Sequence, residues 1–211
     1  MMMKKPGDYY GRVREEVAPL LQKNAAAAVL DVGCGAGVTL AWLKAQGFCG
    51  RTVGVEVAEQ CRDEARRNVD EFHAARIETI DFPPASFDCV LLLDVLEHLV
   101  DPEGALRRVR PWVKPAGRVI VSLPNVRNMT VLRKLIVNGR WDYAESGILD
   151  EDHLRFFSLR SARDLAGRCG YRVETERYKY NGSGWAVVLK RMPLLREFAV
   201  YQFLFSLSRK D

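Results

Sequence analysis

Residues 29–37 read VLDVGCGAG, and this segment restricts the possible folds of the chain more than any other. The mainly apolar residues 29–32 predict a buried strand, and Gly33, Gly35 and Gly37 predict a turn that leads directly into a helix. Glycine carries no Cβ, so a ligand can approach the main chain of such a turn closely. We therefore expect a ligand site at the carboxyl end of the first strand.

An acidic residue, Glu56, follows the next apolar run, residues 52–55. It comes about twenty residues after the glycine turn, the spacing that nucleotide-binding α/β folds use. A carboxylate there can accept hydrogen bonds from both hydroxyls of a ribose. The turn and Glu56 together indicate a nucleoside-containing ligand. Dinucleotide-dependent dehydrogenases have the same pair, and a turn that serves only tight strand-to-helix packing is a further alternative.

Two longer motifs follow in order, FDCVLLLDVLEHLVDP at residues 87–102 and KPAGRVIVSLPN at residues 114–125. With the glycine turn and Glu56, they resemble the class I S-adenosylmethionine-dependent methyltransferases over residues 29–178. The resemblance implies a Rossmann-like α/β fold, with helices on both faces of a seven-stranded, mostly parallel sheet. In this fold the last strand is antiparallel and lies between the fifth and the sixth. The implied cofactor is S-adenosylmethionine, and its product is S-adenosylhomocysteine.

The same resemblance assigns a set of cofactor-binding residues. A leading segment lies over the methionine end of the cofactor in related enzymes, so Tyr9, Tyr10 or Arg12 is expected there. Relatives often hold the adenine amino group with an acid after the third strand, where this chain has Arg76, which only donates hydrogen bonds. We therefore expect apolar and main-chain contact near Ile77 instead. The predicted cofactor-binding residues are Tyr10, Asp31, Gly33, Cys34, Gly35, Gly37, Glu56, Val57, Ile77 and Leu93.

Periodicity and turn residues predict the remaining elements. Within a leading segment, residues 1–24, residues 8–22 predict an amphipathic helix. Asp101 and Ser158 predict helix N-caps. We interpret residues 124–157 as a substrate lid, because this segment is longer than a simple connection needs. Residues 199–208 predict the antiparallel last strand, with an interfacial membrane helix as the alternative. Other predicted helices are 38–46, 58–72, 102–114, 126–137 and 159–168, and other strands are 74–80, 89–93, 118–123 and 171–180.

Composition sets further bounds. A chain of 211 residues, 48% of them hydrophobic, fits a single domain, residues 1–211. No apolar run reaches the roughly 18 residues that span a bilayer, and the N-terminus lacks a secretory apolar core, so we expect a cytoplasmic protein without an integral membrane segment. Five widely spaced cysteines predict reduced thiols. The basic residues are scattered among acids, so we expect no nucleic-acid partner, and a monomer or homodimer.

Three histidines are candidates for the chemistry. Methyl transfer from a sulfonium needs a positioned acceptor rather than a covalent enzyme nucleophile, but a hydroxyl acceptor must lose its proton. We predict His98, just after the fourth strand, as the catalytic base or a substrate contact, and His153, in the lid, as the second candidate. Shaping the pocket is the alternative role for His98. His73 is predicted to lie on the surface at a helix end.

A resemblance to ubiquinone-type O-methyltransferases bears on metal binding. In those enzymes a similar acid-x-x-Glu-His group, here Asp94, Glu97 and His98, ligates a divalent cation. Oxygen and imidazole ligands can hold magnesium or zinc. Because the sequence identifies no partner acid, we predict no bound metal.

The acceptor is expected from resemblance alone. The strings SLPNVRN, GRWDY and LDEDHLRFFS resemble ubiquinone-type O-methyltransferases and methyltransferases associated with bacterial surface-polysaccharide clusters. This implies methyl transfer to a small molecule or glycan, with a hydroxyl as the acceptor. A non-catalytic cofactor-binding partner of another biosynthetic enzyme is the alternative. An NAD-dependent oxidoreductase is disfavoured because no Tyr-x-x-x-Lys pattern suggests a hydride-transfer site, and RNA methylation because no basic aromatic surface is evident.

Overall fold

The computed structural model describes residues 10–180, 192 and 195–210, which form one seven-stranded sheet. The strand order is β3-β2-β1-β4-β5-β7-β6. Strand β7 runs antiparallel to β5 and β6, whereas β1 to β5 pair in parallel. This confirms the predicted Rossmann-like fold and the strand at the C-terminal end. The strands are β1 (Ala28–Val32), β2 (Arg51–Val55), β3 (Glu71–His73), β4 (Phe87–Leu93), β5 (Val113–Pro124), β6 (Tyr171–Tyr180) and β7 (Val200–Arg209).

Helices connect the strands. In the described ranges none of them is both long and apolar enough to cross a bilayer. The α-helices are α1 (Val38–Ala45), α2 (Arg62–Asn68), α3 (Pro102–Val109), α4 (Met129–Asn138), α5 (Leu159–Arg168) and α6 (Arg196–Ala199). Short 3₁₀ helices occupy Glu15–Leu20, Glu59–Cys61, Leu96–His98 and Arg110–Trp112.

Two apolar clusters, one on each face of the sheet, form the core. Side chains alternate along a strand, so β1 sends Leu30 and Val32 to one cluster and Val29 to the other. The first cluster also contains buried residues of α3 and α5, and the second contains buried residues of α1 and the Glu15–Leu20 helix. Helices therefore cover both faces, as predicted, which buries the parallel strands on both sides.

The predicted N-caps are confirmed. Asp101 Oδ1 accepts a hydrogen bond from the Gly104 amide at 2.8 Å, ahead of Pro102 at the start of α3. Ser158 Oγ accepts from the Ser161 amide at 3.2 Å, and Ser161 Oγ accepts from the Ser158 amide at 2.9 Å. This reciprocal pair satisfies donors that the first turn of α5 leaves without a helical partner.

Two buried asparagines anchor the lid segment to β7. Asn125 Nδ2 donates to the carbonyls of Glu197 and Val200, each at 2.9 Å, and Asn128 Nδ2 donates to the Val200 carbonyl at 2.9 Å. Asn128 Oδ1 accepts from the Thr130 amide, which makes Asn128 the cap of α4 and moves its start from the predicted residue 126 to residue 129. Buried amides need such partners, so these bonds fix where the lid leaves the sheet.

The predicted leading helix, residues 8–22, does not continue past Tyr10, which is itself helical. Of residues 11–22, only Glu15–Leu20 is a regular helix, and it is a 3₁₀ helix with Pro19 inside it. Proline lacks the amide hydrogen that an α-helix interior requires. Residues 12–14 have no regular secondary structure, and Tyr9 and the rest of residues 1–9 lie outside the described residues.

The predicted helix 58–72 is confirmed only over residues 59–68, and the predicted strand 74–80 is wrong. Helix α2 ends at Asn68, and the third strand is Glu71–His73, which pairs Phe72 with Gly54 of β2. Edge pairing with β2 here overrides local helical periodicity. His73 therefore lies in an edge strand, half-buried, with Nε2 2.7 Å from Glu71 Oε1. The cysteine prediction is confirmed, since all five are buried free thiols.

Replacing Ser158 with alanine removes the N-cap acceptor of α5. We expect the free energy of unfolding to fall by about 1 kcal/mol, measured by urea denaturation. Arg160, exposed in the same first turn, provides the control, because Arg160→Ala should change stability by less than about 0.5 kcal/mol. Equal stability of Ser158→Ala and the wild type would contradict the capping role.

Candidate active site

A cleft of about 1360 Å³ opens at the carboxyl ends of β1, β2 and β4. Open α/β sheets bind their ligands at this edge. Gly37, predicted to bind the cofactor, does not line the cleft, because it caps α1 behind the turn. The predicted site residues that do line it are Tyr10, Asp31, Gly33, Cys34, Gly35, Glu56, Val57, Ile77, Leu93, His98 and His153.

The glycine turn is packed more tightly than the sequence indicated. Gly33, Gly35 and Gly37 all have positive φ, at +76°, +53° and +74°. A Cβ at Gly33 would lie 2.7 Å from Val95 Cγ2, and one at Gly35 would lie 2.9 Å from the main-chain oxygen of Tyr10. We expected bare main chain open to a ligand at these positions. On the side where a Cβ would point, protein atoms fill the space, so the glycines are required by backbone conformation and by packing, while Gly33 and Gly35 still line the cleft.

Glu56 binds the turn to the end of β2. Its Oε2 accepts from the Gly35 amide at 2.9 Å, and its Oε1 accepts from the amides of Val57 and Ala58, each at 2.8 Å. A carboxylate has about four lone-pair sites. Three of them are engaged here, with a single hydrogen bond at Oε2. The predicted contact with a ribose hydroxyl therefore fits Oε2 best.

Asp31, the residue before the last of β1, is a buried acid. Its side chain lines the cleft with an exposed fraction of 3%, and Oδ1 has no hydrogen-bond partner among the described residues. Burial raises the pKa of Asp31 to about 8, against the opposing charge of Arg14. A nearby positive charge on a ligand would favour the ionised form. Asp31 is thus suited to a cationic ligand.

The adenine end of the predicted site lies on the loop after β3. Because the third strand ends at His73, Arg76 stands three residues beyond it and not directly at its end. The Arg76 side chain is largely exposed, with Nε 3.6 Å from Glu78 Oε2. Ile77 beside it is 4% exposed and packs in the core at the cleft wall. Its proposed apolar contact with adenine stays a prediction.

Arg14 is a central residue that sequence analysis missed. Its guanidinium donates to Asp94 Oδ2 at 2.6 Å, to Ser122 Oγ at 3.3 Å and to Gln202 Oε1 at 3.4 Å. Burial lowers the pKa of Arg14, but the carboxylates of Asp94 and Glu16 outweigh it and raise the pKa above its ordinary value. These contacts tie the N-terminal segment to β5, β7 and the end of β4. Partners 80 to 188 residues apart leave no periodic signal in the sequence.

The network holds Asp94 in a strained conformation. Asp94 has φ +58°, which is costly for a residue with a Cβ. Its Oδ1 accepts from Ser122 Oγ at 2.9 Å and from Gln202 Nε2, and its amide donates to Ser122 Oγ at 3.0 Å. The chain turns sharply there, toward the Leu96–His98 helix at the cleft.

Glu97, His98 and His153 form a second polar cluster in the cleft. One ligand atom from each lies within 4.8 Å of the others, and the two imidazole centroids are 4.7 Å apart. Glu97 is fully buried, and neither carboxyl oxygen has a hydrogen-bond partner among the described residues. Burial raises the pKa of Glu97 well above its usual range, and burial lowers the pKa of His153. Both groups are therefore biased toward their neutral forms.

Main-chain carbonyls orient both imidazoles. His98 Nδ1 lies 3.1 Å from the Asp152 carbonyl oxygen, and His153 Nδ1 lies 3.0 Å from the Ile148 carbonyl oxygen. A carbonyl only accepts hydrogen bonds, so we assign the proton to Nδ1 in each ring. In the neutral rings Nε2 then carries a lone pair and can accept a proton.

The cluster differs from the metal group that the sequence suggested. Asp94 belongs to the Arg14 network, and His153 from the lid joins Glu97 and His98 in its place. One carboxyl group and two imidazoles are a donor set that fits a divalent transition-metal ion when the carboxyl group is ionised. An ion held there would act as a Lewis acid on an acceptor oxygen.

The lid divides into two parts. Glu145 to Leu154 includes residues that line the cleft, whereas Trp141 and Tyr143, earlier in the lid, do not line it. Trp141 instead meets the edge of Phe156, with centroids 5.3 Å apart. The polar half of the predicted lid therefore faces the site, and the aromatic half faces outward.

Replacing Gly35 with alanine should cost cofactor affinity. The new Cβ would meet the Tyr10 oxygen at 2.9 Å in a backbone with φ +53°, which displaces the segment over the turn. We expect the affinity for S-adenosylmethionine, measured by calorimetry, to fall at least about tenfold. Gly139→Ala is the matched control, because Gly139 has φ +63° but no atom within 4 Å of the new Cβ. Equal losses in the two variants would contradict the packing role.

Cofactor binding should release protons from Asp31. Its pKa of about 8 leaves the carboxyl mainly protonated at neutral pH, and a cationic donor favours the ionised form. Calorimetry at neutral pH in buffers of different ionisation enthalpy should detect this release, and Asp31→Asn should abolish it. Without ligand, the same shift makes the free energy of unfolding fall as the pH rises from 3.8 toward 8, because the unfolded chain loses this proton first. A release unchanged in Asp31→Asn would refute the assignment.

Comparison with known proteins places the chain in a family. A family model described as a methyltransferase domain matches residues 7–176. A ubiquinone biosynthesis O-methyltransferase of Idiomarina loihiensis is 37% identical over 105 residues, 46% of this chain and 42% of that protein. Another, of Chromobacterium violaceum, is 26% identical over 190 residues, 87% of this chain and 78% of that protein. The matches to the first of the curated relatives span less than half of their length, 32% to 48%.

Solved structures show the same fold at low sequence identity. The complex between the Haloferax volcanii Trm112 methyltransferase activator and a methyltransferase matches with a TM-score of 0.71 and 16% identity, over 97% of this chain and 92% of that one. An S-adenosylmethionine-dependent methyltransferase structure from Listeria monocytogenes matches with a TM-score of 0.68 and 17% identity, over 98% and 100%. With the family match, this confirms the predicted superfamily and its cofactor, S-adenosylmethionine. The chain belongs to the class I S-adenosylmethionine-dependent methyltransferases.

Proposed function

We propose that this protein transfers a methyl group from S-adenosylmethionine to a hydroxyl oxygen of a small molecule or glycan. In this reaction the acceptor oxygen bonds to the methyl carbon while the carbon–sulfur bond breaks, and S-adenosylhomocysteine leaves. The hydroxyl proton must go to a base. The observation that carries the proposal is the pair of imidazoles, His98 and His153, at the cofactor cleft.

His98 is the base in this proposal. Its Nδ1 is engaged by the Asp152 carbonyl, so Nε2 remains as the proton acceptor. His153 is more buried and its pKa is lowered by that burial, so it stays neutral and acts as a second acceptor or positions the substrate. The rest of catalysis is alignment of oxygen, methyl carbon and sulfur, which binding of both substrates in one cleft would provide.

The polar side chains with which the lid lines the wall of the cleft support a polar acceptor. A hydroxyl-rich molecule can exchange its hydration for hydrogen bonds with such a wall, whereas a purely apolar ring cannot. The names of the ubiquinone biosynthesis O-methyltransferases support oxygen as the accepting atom. The polar lid residues on the cleft are Glu145, Ser146, Asp150, Glu151, Asp152 and His153.

The acceptor can be found by incubating the enzyme with cell extract and S-adenosylmethionine that carries a labelled methyl group. Mass spectrometry should show the label on a hydroxyl oxygen of a polar small molecule or glycan. Label on nitrogen or carbon would refute O-methylation. Cofactor binding with no labelled product, together with stoichiometric co-purification of another enzyme, would instead favour a non-catalytic partner.

His98→Ala should separate turnover from cofactor binding. With the identified acceptor, we expect kcat to fall about 10²- to 10⁴-fold because the base is lost, while affinity for S-adenosylmethionine changes little. His73→Ala is the control, since His73 lies in β3 and does not line the cleft. An unchanged rate in His98→Ala would show that the base is elsewhere. Loss of activity on chelation, restored by magnesium or zinc, would assign the cluster to a metal ion.

A further inference from the structure

The C-terminal half of α4 exposes apolar side chains. Every residue from 133 to 146 is exposed. Ile136 and Val137 are 77% and 73% exposed, the two highest values among the large apolar side chains of the described residues, and Leu135 beside them is 40% exposed. Exposed apolar residues are common singly, but three in succession form a candidate interaction surface. We call residues 133–141 the α4 tip.

The α4 tip projects from a firmly packed base. At the start of the helix Val131 is buried against Ile148 and Leu149 of the lid. At its end Gly139 adopts φ +63°, and its amide donates to the Leu135 carbonyl at 3.0 Å. This is the usual closure of a helix by a left-handed glycine. The tip is therefore a formed helix end that carries its apolar side chains away from the core.

Basic residues accompany the apolar ones. Helix α4 contains no acidic residue, and Arg133 and Lys134 take part in no ion pair among the described residues. Arg133 is three and four positions before Ile136 and Val137, so its long side chain shares their face of the helix. Such side chains lay their stems along apolar neighbours and extend the charge outward. Arg140 adds a third cation, partly offset by Asp142 at 3.0 Å.

Two aromatic side chains follow the helix. Trp141 is 37% exposed and Tyr143 is 54% exposed. Indole and phenol rings combine an apolar body with a polar atom and favour the boundary between lipid and water. The apolar residues at the end of α4 are flanked by cations and followed by aromatic residues. This arrangement is typical of a segment that lies in a membrane interface.

We propose that the α4 tip inserts into the surface of an anionic lipid bilayer. A protein partner would need a preformed apolar pocket that surrounds the protruding helix end. Lipid tails need no such pocket, because they deform around it. The unpaired cations match the negative headgroups and not an apolar pocket. Insertion is shallow, because no described helix is long enough to span. Binding to vesicles is measured without a methyl acceptor, so the result does not depend on which molecule the enzyme methylates.

Co-sedimentation with vesicles tests the proposal. The wild type should pellet with vesicles of phosphatidylcholine and phosphatidylglycerol, and several-fold less with phosphatidylcholine alone, because the cations then have no partner. Ile136→Asp/Val137→Asp should bind anionic vesicles at least about tenfold more weakly. Arg133→Glu/Lys134→Glu should also lose about tenfold, and added salt should weaken the wild type in the same direction.

Val100→Asp is the matched control. Val100 is 69% exposed but lies before α3, away from the tip, so this variant should bind vesicles as the wild type does. Thermal unfolding should be the same for all variants, since every changed side chain is exposed. Wild-type protein that stays in solution with anionic vesicles, or an Ile136→Asp/Val137→Asp variant that pellets normally, overturns the proposal. So does light scattering that finds a dimer which this variant dissociates, since a second copy would then cover the tip.

Discussion

The carboxylate of Glu56 joins the ends of two strands, and the shape of the cleft depends on that contact. It accepts the amides of Gly35, Val57 and Ala58, so the turn after β1 is tied to the chain after β2. The Gly33 amide also donates a main-chain hydrogen bond to the Val55 carbonyl at 2.8 Å. With only 8% of Glu56 exposed, amide dipoles and not water balance its charge. The turn is therefore held in place by hydrogen bonds from the protein itself.

The N-terminal segment closes the other side of the same turn. Gly37 is the N-cap of α1 and has no side chain to cap it, and the Tyr10 carbonyl accepts the Ala36 amide at 3.1 Å. A main-chain oxygen from a distant segment thus serves near the start of α1 as a capping side chain would. Arg14 then fixes that segment through Asp94. The tight fit at Gly35 follows from this closure, because Tyr10 rests against the turn.

The predictable parts of the molecule are those that local sequence determines. The strand and turn at residues 29–37, the caps at Asp101 and Ser158 and the two final strands each carry their own signal, in apolar runs or capping residues. The third strand does not, because Glu71–His73 is a strand only through its pairing with β2. Sequence analysis missed Arg14 for the same reason. Its partners come together only when the sheet is assembled, so nothing near it in the sequence marks it as buried.

The cluster of Glu97, His98 and His153 depends on the lid as much as on the sheet. The Glu97 main-chain oxygen accepts the amides of Leu154 at 2.8 Å and Arg155 at 3.0 Å, and the next residue, His98, meets the Asp152 carbonyl. The bonds that dock the lid therefore also orient His98 and bury Glu97. Displacing the lid would expose Glu97 to water and lower its raised pKa toward the ordinary value, while His98 would lose the carbonyl that fixes its proton on Nδ1. Docking of the lid and orientation of His98 are for this reason one structural event.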